Sequence, residues 1–326
     1  MGFGRVALGR VTSMRYGVVF PGQGSQAVGM GGALVENYAE ARDLFARAER
    51  VLGYDLLAIV RDGPEDRLRE TRYSQPAIYV VNYALAVAAL PAMNVVASAG
   101  HSFGEYCSLT LAGALDFEAA LGLVAERGLA MQDAASRADG AMSAVLALDE
   151  QTLRDICVAV RAAGTGRVQL ANFNAPGQIV ISGDRDAVVA AGDLALAAGA
   201  KRVVPLNVSG AWHSELMAPA RARFAPYVER AEIRLPRFTV VSNVDGLPYE
   251  SVATIRQNLI RSVTEEVLWH AAALRLVAEG LDAILEFGGS AVLAPLMKRV
   301  PNAPPAKQIG DERGIEKLRA GDGAPV

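Results

Sequence analysis

The chain has 326 residues, 52% of them hydrophobic, and its 32 Lys and Arg against 35 Asp and Glu leave a formal net charge of −3. That balance, with the basic residues dispersed, excludes a broad electrostatic case for nucleic acid, and the length fits one large α/β domain carrying an insertion. Two cysteines, Cys107 and Cys157, make no disulfide framework or metal spacing, and His101, His213 and His270 lack metal-site spacing too. A reducing, cytoplasmic setting with no metal or other cofactor is expected. No uncharged apolar run is long enough to span a membrane. The basic start, residues 1–15, lacks the hydrophobic segment of a secretory signal.

In chain order, residues 16–20 form a short apolar strand ending at Pro21-Gly22-Gln23-Gly24-Ser25-Gln26. A strand running into a glycine-rich loop exposes backbone amides, which is where α/β folds bind ligands. No Gly-Lys-Ser/Thr follows, so this is not a Walker phosphate loop. Gln23 is a candidate donor to a reacting oxygen, although a plain βα turn would look the same. Residues 36–52 have helical spacing through Ala39, Leu44, Ala48 and Leu52. Gly63-Pro64 breaks the next short helix, and Pro64-Glu65-Asp66 opens another. Residues 75–90 are apolar on almost every side, which predicts a buried helix.

Apolar and small residues from Val96 then run into Gly100-His101-Ser102-Phe103-Gly104, and residues 105–112 can form a helix. Strand, sharp turn and helix around Gly-x-Ser-x-Gly make a nucleophile elbow. A Cβ at position 100 or 104 would crowd that turn. The positive end of the following helix points at Ser102, and the Phe103 amide is placed to meet an oxyanion. Because Gly-x-Ser-x-Gly also arises by chance, other residues must decide. Residues 117–131 keep helical spacing and carry Arg127, which needs an anionic partner if it faces inward.

Residues 141–208 are a self-contained unit, assigned as a subdomain over 141–206: strand 141–148, helix 150–163, a hairpin of 168–174 and 178–182, helix 186–198, and a last strand 202–208. That order is the ferredoxin-like βαββαβ. The predicted fold class is therefore α/β: a large α/β-hydrolase-like domain with a parallel sheet, residues 1–140 and 207–326, interrupted by this subdomain, with a cleft between them. At its exit lie Ser209-Gly210-Ala211-Trp212-His213-Ser214, small turn residues beside an aromatic and the best-placed base for a serine. His101 adjoins Ser102, but neighbours across an elbow diverge; His270 sits in an apolar helical stretch. Strands at 238–242 and 283–287 alternate with helices at 251–260, 268–279 and 292–300. A short helix near 315–318 and a disordered end at 321–326 complete the expectation.

Three motifs together carry a resemblance: Phe20-Pro21-Gly22-Gln23-Gly24-Ser25-Gln26, Gly100-His101-Ser102-Phe103-Gly104-Glu105 and Trp212-His213-Ser214. In that order, with the βαββαβ unit between the second and third, the chain resembles the malonyl-CoA:acyl carrier protein transacylase family from residue 16 to about residue 300. Residues 171–178 and the pairs Arg127-Gly128 and Met131-Gln132 match as well. The wording Ser74-Gln75-Pro76-Ala77-Ile78-Tyr79 is closest to the free-standing acyltransferases that serve polyketide synthases in trans.

The resemblance implies an S-malonyltransferase. Ser102 would attack malonyl-CoA, and His213 would take its proton, oriented by a backbone carbonyl. The amides of Gln23 and Phe103 would form the oxyanion hole, and Arg127 would pair with the malonyl carboxylate. The partner would be an acyl carrier protein or a polyketide synthase carrier domain, with no nucleic acid or membrane involved and the enzyme a monomer. Three departures bear on the site. Ser262 stands where relatives have the glutamine whose carbonyl orients the His. Trp212 stands where malonyl-selective relatives usually have Phe, so it is expected to lie against the acyl α-carbon. Gly288-Gly289-Ser290-Ala291 replaces a Gly-Pro-Gly-Lys loop. The alternatives are an acyl hydrolase of the same fold, which would leave Arg127 without a purpose, and an inactive docking module, which would leave Gln23, Ser102, Arg127 and His213 unexplained together.

Overall fold

The computed structural model describes residues 14–321. The basic start, up to residue 13, and the tail expected to be disordered, from residue 322, lie outside the described residues. The chain begins with β1 (Arg15–Phe20), then α1 (Leu34–Asn37), α2 (Ala39–Leu52), α3 (Leu56–Asp62), α4 (Glu65–Arg69) and α5 (Thr71–Ala89). It continues through β2 (Asn94–Gly100), α6 (Gly104–Leu111) and α7 (Phe117–Ala135). A second unit follows: β3 (Gly140–Leu146), α8 (Glu150–Ala162), β4 (Val168–Ala175), β5 (Gln178–Asp184), α9 (Arg185–Ala197) and β6 (Arg202–Pro205). The chain closes with α10 (Ala218–Arg230), β7 (Thr239–Val241), α11 (Val252–Arg261), α12 (Trp269–Val277), β8 (Ala283–Phe287), α13 (Leu293–Met297), β9 (Ala306–Ile309) and α14 (Glu312–Arg319).

The larger sheet has the order β7-β2-β1-β8-β9, every pair parallel. Its central strand β1 is buried at every residue but Arg15, as a parallel strand covered on both faces must be. In a parallel sheet the carboxyl ends of the strands share one edge, where ligands bind. Here that edge gathers the loop after Phe20, the elbow after Gly100, Asn243 after β7 and the Gly288-Gly289 turn after β8. The smaller sheet is antiparallel, in the order β4-β5-β3-β6 with two crossing helices, which is the ferredoxin-like arrangement. It docks through Phe173 N–H to the Val267 carbonyl and Val267 N–H to the Ala171 carbonyl, both 2.8 Å. Arg154 adds a bidentate pair with Glu266 at 2.9 Å.

Helix α5 is long and apolar enough to cross a bilayer, yet 78% of that stretch is buried inside the protein. It is a core helix, packed on α2, α6 and α7. The expected helix over 36–52 is divided at Tyr38, whose extended backbone (φ −122°, ψ 116°) ends α1 and caps α2. The last strand of the small sheet stops at Pro205, short of the expected residue 208, because Leu206 and Val208 turn off into the loop that reaches the cleft. Two elements have no counterpart in the sequence expectation. One is α10, whose buried Ala220, Phe224 and Val228 recur every four residues among arginines and prolines. The other is β9, a four-residue edge strand directly after a proline-rich stretch.

The elbow depends on two close approaches. A Cβ on Gly100 would overlap the backbone of Gly104, and one on Gly104 would overlap the Phe20 carbonyl. Neither neighbour can yield, since both are backbone. Gly100→Ala is expected to lower stability by roughly 3 kcal/mol or more. Thermal unfolding of the variant checks this, and an unchanged Tm would mean that the strand and helix do not meet so tightly.

Candidate active site

Ser102 sits at φ +53°, in the left-handed region that costs a non-glycine residue energy. The turn lifts its hydroxyl out of the sheet edge. His213 reaches it from the loop that leaves the small sheet, and is itself left-handed at φ +56°. Ser102 Oγ and His213 Nε2 are 2.8 Å apart. The other ring nitrogen, Nδ1, faces two carbonyls, Ser262 O at 2.9 Å and Glu265 O at 3.2 Å. Carbonyls only accept, so the proton belongs on Nδ1, and Nε2 presents its lone pair to the serine. Burial, then the Arg127 and His101 charges, push the His213 imidazole down to about 3, so it is held neutral. A neutral imidazole bonded to Ser Oγ is a poised general base.

Arg127, on α7, is 1% exposed. Its Nη1 donates to Gln75 Oε1 at 2.9 Å and its Nη2 to Ser102 Oγ at 3.2 Å, while Nε has no partner. No carboxylate lies within ion-pair distance among the described residues. Burial lowers its pKa, with distant Tyr106 and Glu105 opposing. A buried guanidinium without an anion is costly, so the site is built for one. The cavity over these groups holds about 250 Å³. Met131, Met142 and Trp212 give it an apolar wall, and Gln23 and Asn174 a polar one. A larger groove of about 670 Å³ between α2, α7 and α10 contains no nucleophile and is remote from this chemistry.

The Gln23 loop closes over the elbow: a Cβ on Gly22 would stand 2.8 Å from the His101 carbonyl. Neither the Gln23 nor the Phe103 amide N–H has an acceptor among the described residues. Two free amides at one serine are the ingredients of an oxyanion hole. Trp212 is 5% exposed and lines the cavity beside His213, its Cη2 edge against Gly210. Ser262 enters only through its carbonyl. Its hydroxyl donates to Leu259 O at 2.9 Å, and its side chain does not line the cavity. His101 turns from the serine to Asn174, 2.9 Å from Nε2. His270 lies in another apolar cleft, beside Phe173 and Leu268.

Several residues here escaped sequence reasoning. Gln75 fixes Arg127, and Gln169 bridges the His213 carbonyl and the Glu215 amide at 3.3 and 3.0 Å. Asn243 grips the Ser102 backbone and is held by Glu105, which also accepts the Tyr249 hydroxyl. Burial pushes the Glu105 carboxyl up to about 7 against the pull of those donors. Its signal was visible: Glu105 is the one charged residue of α6. Glu286 is also fully buried, and accepts the amides of Val292, Leu293 and Ala294 at 2.7–2.9 Å. It thereby firms the turn that follows β8.

The family described as acyl transferase domain matches residues 18–310. A malonyl CoA-acyl carrier protein transacylase of Salmonella typhimurium is 37% identical over 92% of this chain and 97% of its own length. The polyketide biosynthesis protein ThaF of Burkholderia thailandensis is 39% identical over 86% of this chain, which spans only 24% of that longer protein. Among solved structures, the complex of a type II polyketide synthase acyl-carrier protein with its malonyl-transacylase superimposes with a TM-score of 0.89. Identity there is 38%, over 94% of this chain and 99% of that one. The chain belongs to the acyl transferase family.

Proposed function

We propose that the protein transfers a malonyl group from malonyl-CoA, through a Ser102 acyl-enzyme, to the phosphopantetheine thiol of an acyl carrier protein. The observation that carries this is the buried Arg127 guanidinium, 3.2 Å from the nucleophile and lacking any carboxylate. A thioester whose acyl group ends in a carboxylate supplies the missing anion and is oriented by it. The names of the relatives support the same substrate and partner.

In the first half-reaction Ser102 Oγ attacks the thioester carbonyl as His213 Nε2 takes the hydroxyl proton. The free amides of Gln23 and Phe103 receive the oxyanion. The C–S bond breaks, and the CoA sulfur leaves with the proton from His213. In the second half the carrier thiol gives its proton to His213 and attacks the Ser102 ester, and the serine oxygen recovers the proton as it leaves. Mixing the protein with malonyl-CoA and weighing it intact tests the reading: the mass should rise by one malonyl group, and Ser102→Ala should not gain it. Undiminished labelling of Ser102→Ala would move the nucleophile elsewhere. A hydrolase acting on simple acyl chains is the weaker reading, because nothing in such a chain would pair Arg127.

Selectivity at the carboxylate follows from the same pairing. Arg127→Ala should depress malonyl transfer by orders of magnitude and raise relative activity on acetyl-CoA, since only malonyl carries an anion. Equal losses on the two substrates would leave Arg127 a purely structural role.

Selectivity at the α-carbon falls to Trp212, whose ring stands at the cavity wall directly before the base. A methyl there would meet the indole, and overpacking costs roughly 1–3 kcal/mol, so malonyl-CoA should be preferred over methylmalonyl-CoA by roughly ten- to a hundredfold. Trp212→Ser should narrow the gap by raising methylmalonyl transfer. Competition of the two thioesters for one carrier protein reads it out, and equal use by the unaltered enzyme would defeat the steric argument.

A further inference from the structure

The backbone of Ser102 is gripped from the neighbouring strand. Asn243, just past the end of β7, accepts the Ser102 N–H at its Oδ1, 3.0 Å away, and donates from its Nδ2 to the Ser102 carbonyl at 2.9 Å. One side-chain amide thus takes both polar groups of the nucleophile's backbone, as a strand partner would. In a trans peptide the C=O and the next N–H point in opposite directions. Pulling the Ser102 carbonyl toward Asn243 therefore aims the Phe103 N–H the other way. That N–H has no acceptor among the described residues.

The amide of Asn243 is itself held one way round. Its second Nδ2 hydrogen goes to Glu105 Oε2 at 3.0 Å, while Glu105 Oε1 accepts the Asn243 backbone N–H at 3.0 Å and the Tyr249 hydroxyl at 2.8 Å. Glu105 and Asn243 are 1% and 2% exposed. A carboxylate only accepts, so it forces Asn243 to present Nδ2 there and hence Oδ1 to the Ser102 N–H. We infer that Glu105 and Asn243 are a positioning pair that acts through the Ser102–Phe103 peptide to set the direction of the oxyanion-binding amide. This rests on Ser102 being the nucleophile, and it adds two residues that never touch the substrate.

The distinguishing variant is Glu105→Gln. It keeps the shape but brings an NH₂ against a donor. If that NH₂ faces Asn243 Nδ2, the Asn243 amide is driven to rotate, and its grip on Ser102 becomes acceptor on acceptor and donor on donor. At pH 8, Glu105→Gln should slow acylation by malonyl-CoA roughly ten- to a hundredfold with KM within about threefold, and Asn243→Ala should lose on the order of a hundredfold, the size expected for one oxyanion donor. Because the two act as a unit, the double variant should be no slower than Asn243→Ala by more than about threefold. A double variant showing the product of the two losses would overturn the proposal. So would a folded Glu105→Gln with near-normal acylation, or a loss expressed in KM alone. If Glu105→Gln does not fold, Tyr249→Phe takes its place in the cycle, with a several-fold loss expected and the same non-additivity required. The cycle is run in parallel with a fluorophosphonate, whose phosphoryl oxygen needs the same amide when it labels Ser102. Failure of the unaltered protein to accept malonyl would count against the proposed substrate, whereas the fluorophosphonate cycle would still decide the positioning pair.

Discussion

The structure depends on a steric constraint at one turn. For Ser102 to stand at the sheet edge, β2 must reverse into α6 within three residues and press that helix against the end of β1. Only glycines at 100 and 104 permit it, and the serine between them is forced to φ +53°. The strain is held by hydrogen bonds on both sides of the turn. The His101 N–H bonds to the Phe20 carbonyl at 2.9 Å, and Asn243 clasps both sides of Ser102. The buried network behind the elbow thus serves chemistry performed in front of it.

A second constraint is electrostatic. Arg127 could have been paired within the protein, and a buried glutamate, Glu105, lies near enough to influence its charge. That carboxylate is instead occupied by three donors from Asn243 and Tyr249. Gln75, a neutral acceptor, fixes the guanidinium without neutralising it. Orientation is thereby separated from charge compensation, which is left for a ligand. A buried carboxylate at the position of Gln75 would fill that need permanently, and would remove the reason for a dicarboxylic thioester to bind.

Much of this was legible in the chain because the decisive signals are local. The glycines flanking Ser102, the strand-then-glycine pattern at Phe20 and the βαββαβ order follow from neighbours in sequence, and the parallel sheet and inserted antiparallel sheet have the predicted form. What was illegible depends on contacts across long separations. Asn243 is 141 residues from Ser102, and Gln75 is 52 from Arg127. Helix α10 was hidden for a different reason: prolines at 219 and 226 and three arginines mask a buried stripe that recurs only every fourth residue. The place of Ser262 shows how a departure at the side chain can leave the chemistry untouched, since the His213 proton is met by a backbone carbonyl.

On the proposed function, Arg127 and His213 are coupled through the substrate. The Arg127 charge is among the causes that depress the His213 imidazole, second only to burial. A malonyl carboxylate on Arg127 cancels much of that repulsion, because opposite charges a few ångströms apart in a buried site screen each other's field. The part of the depression that comes from Arg127 is thereby eased by a dicarboxylic acyl group and persists with one that carries no anion, while the larger part, from burial, remains in both. On that reading the guanidinium orients the dicarboxylic thioester directly beside the nucleophile, 3.2 Å from Ser102 Oγ.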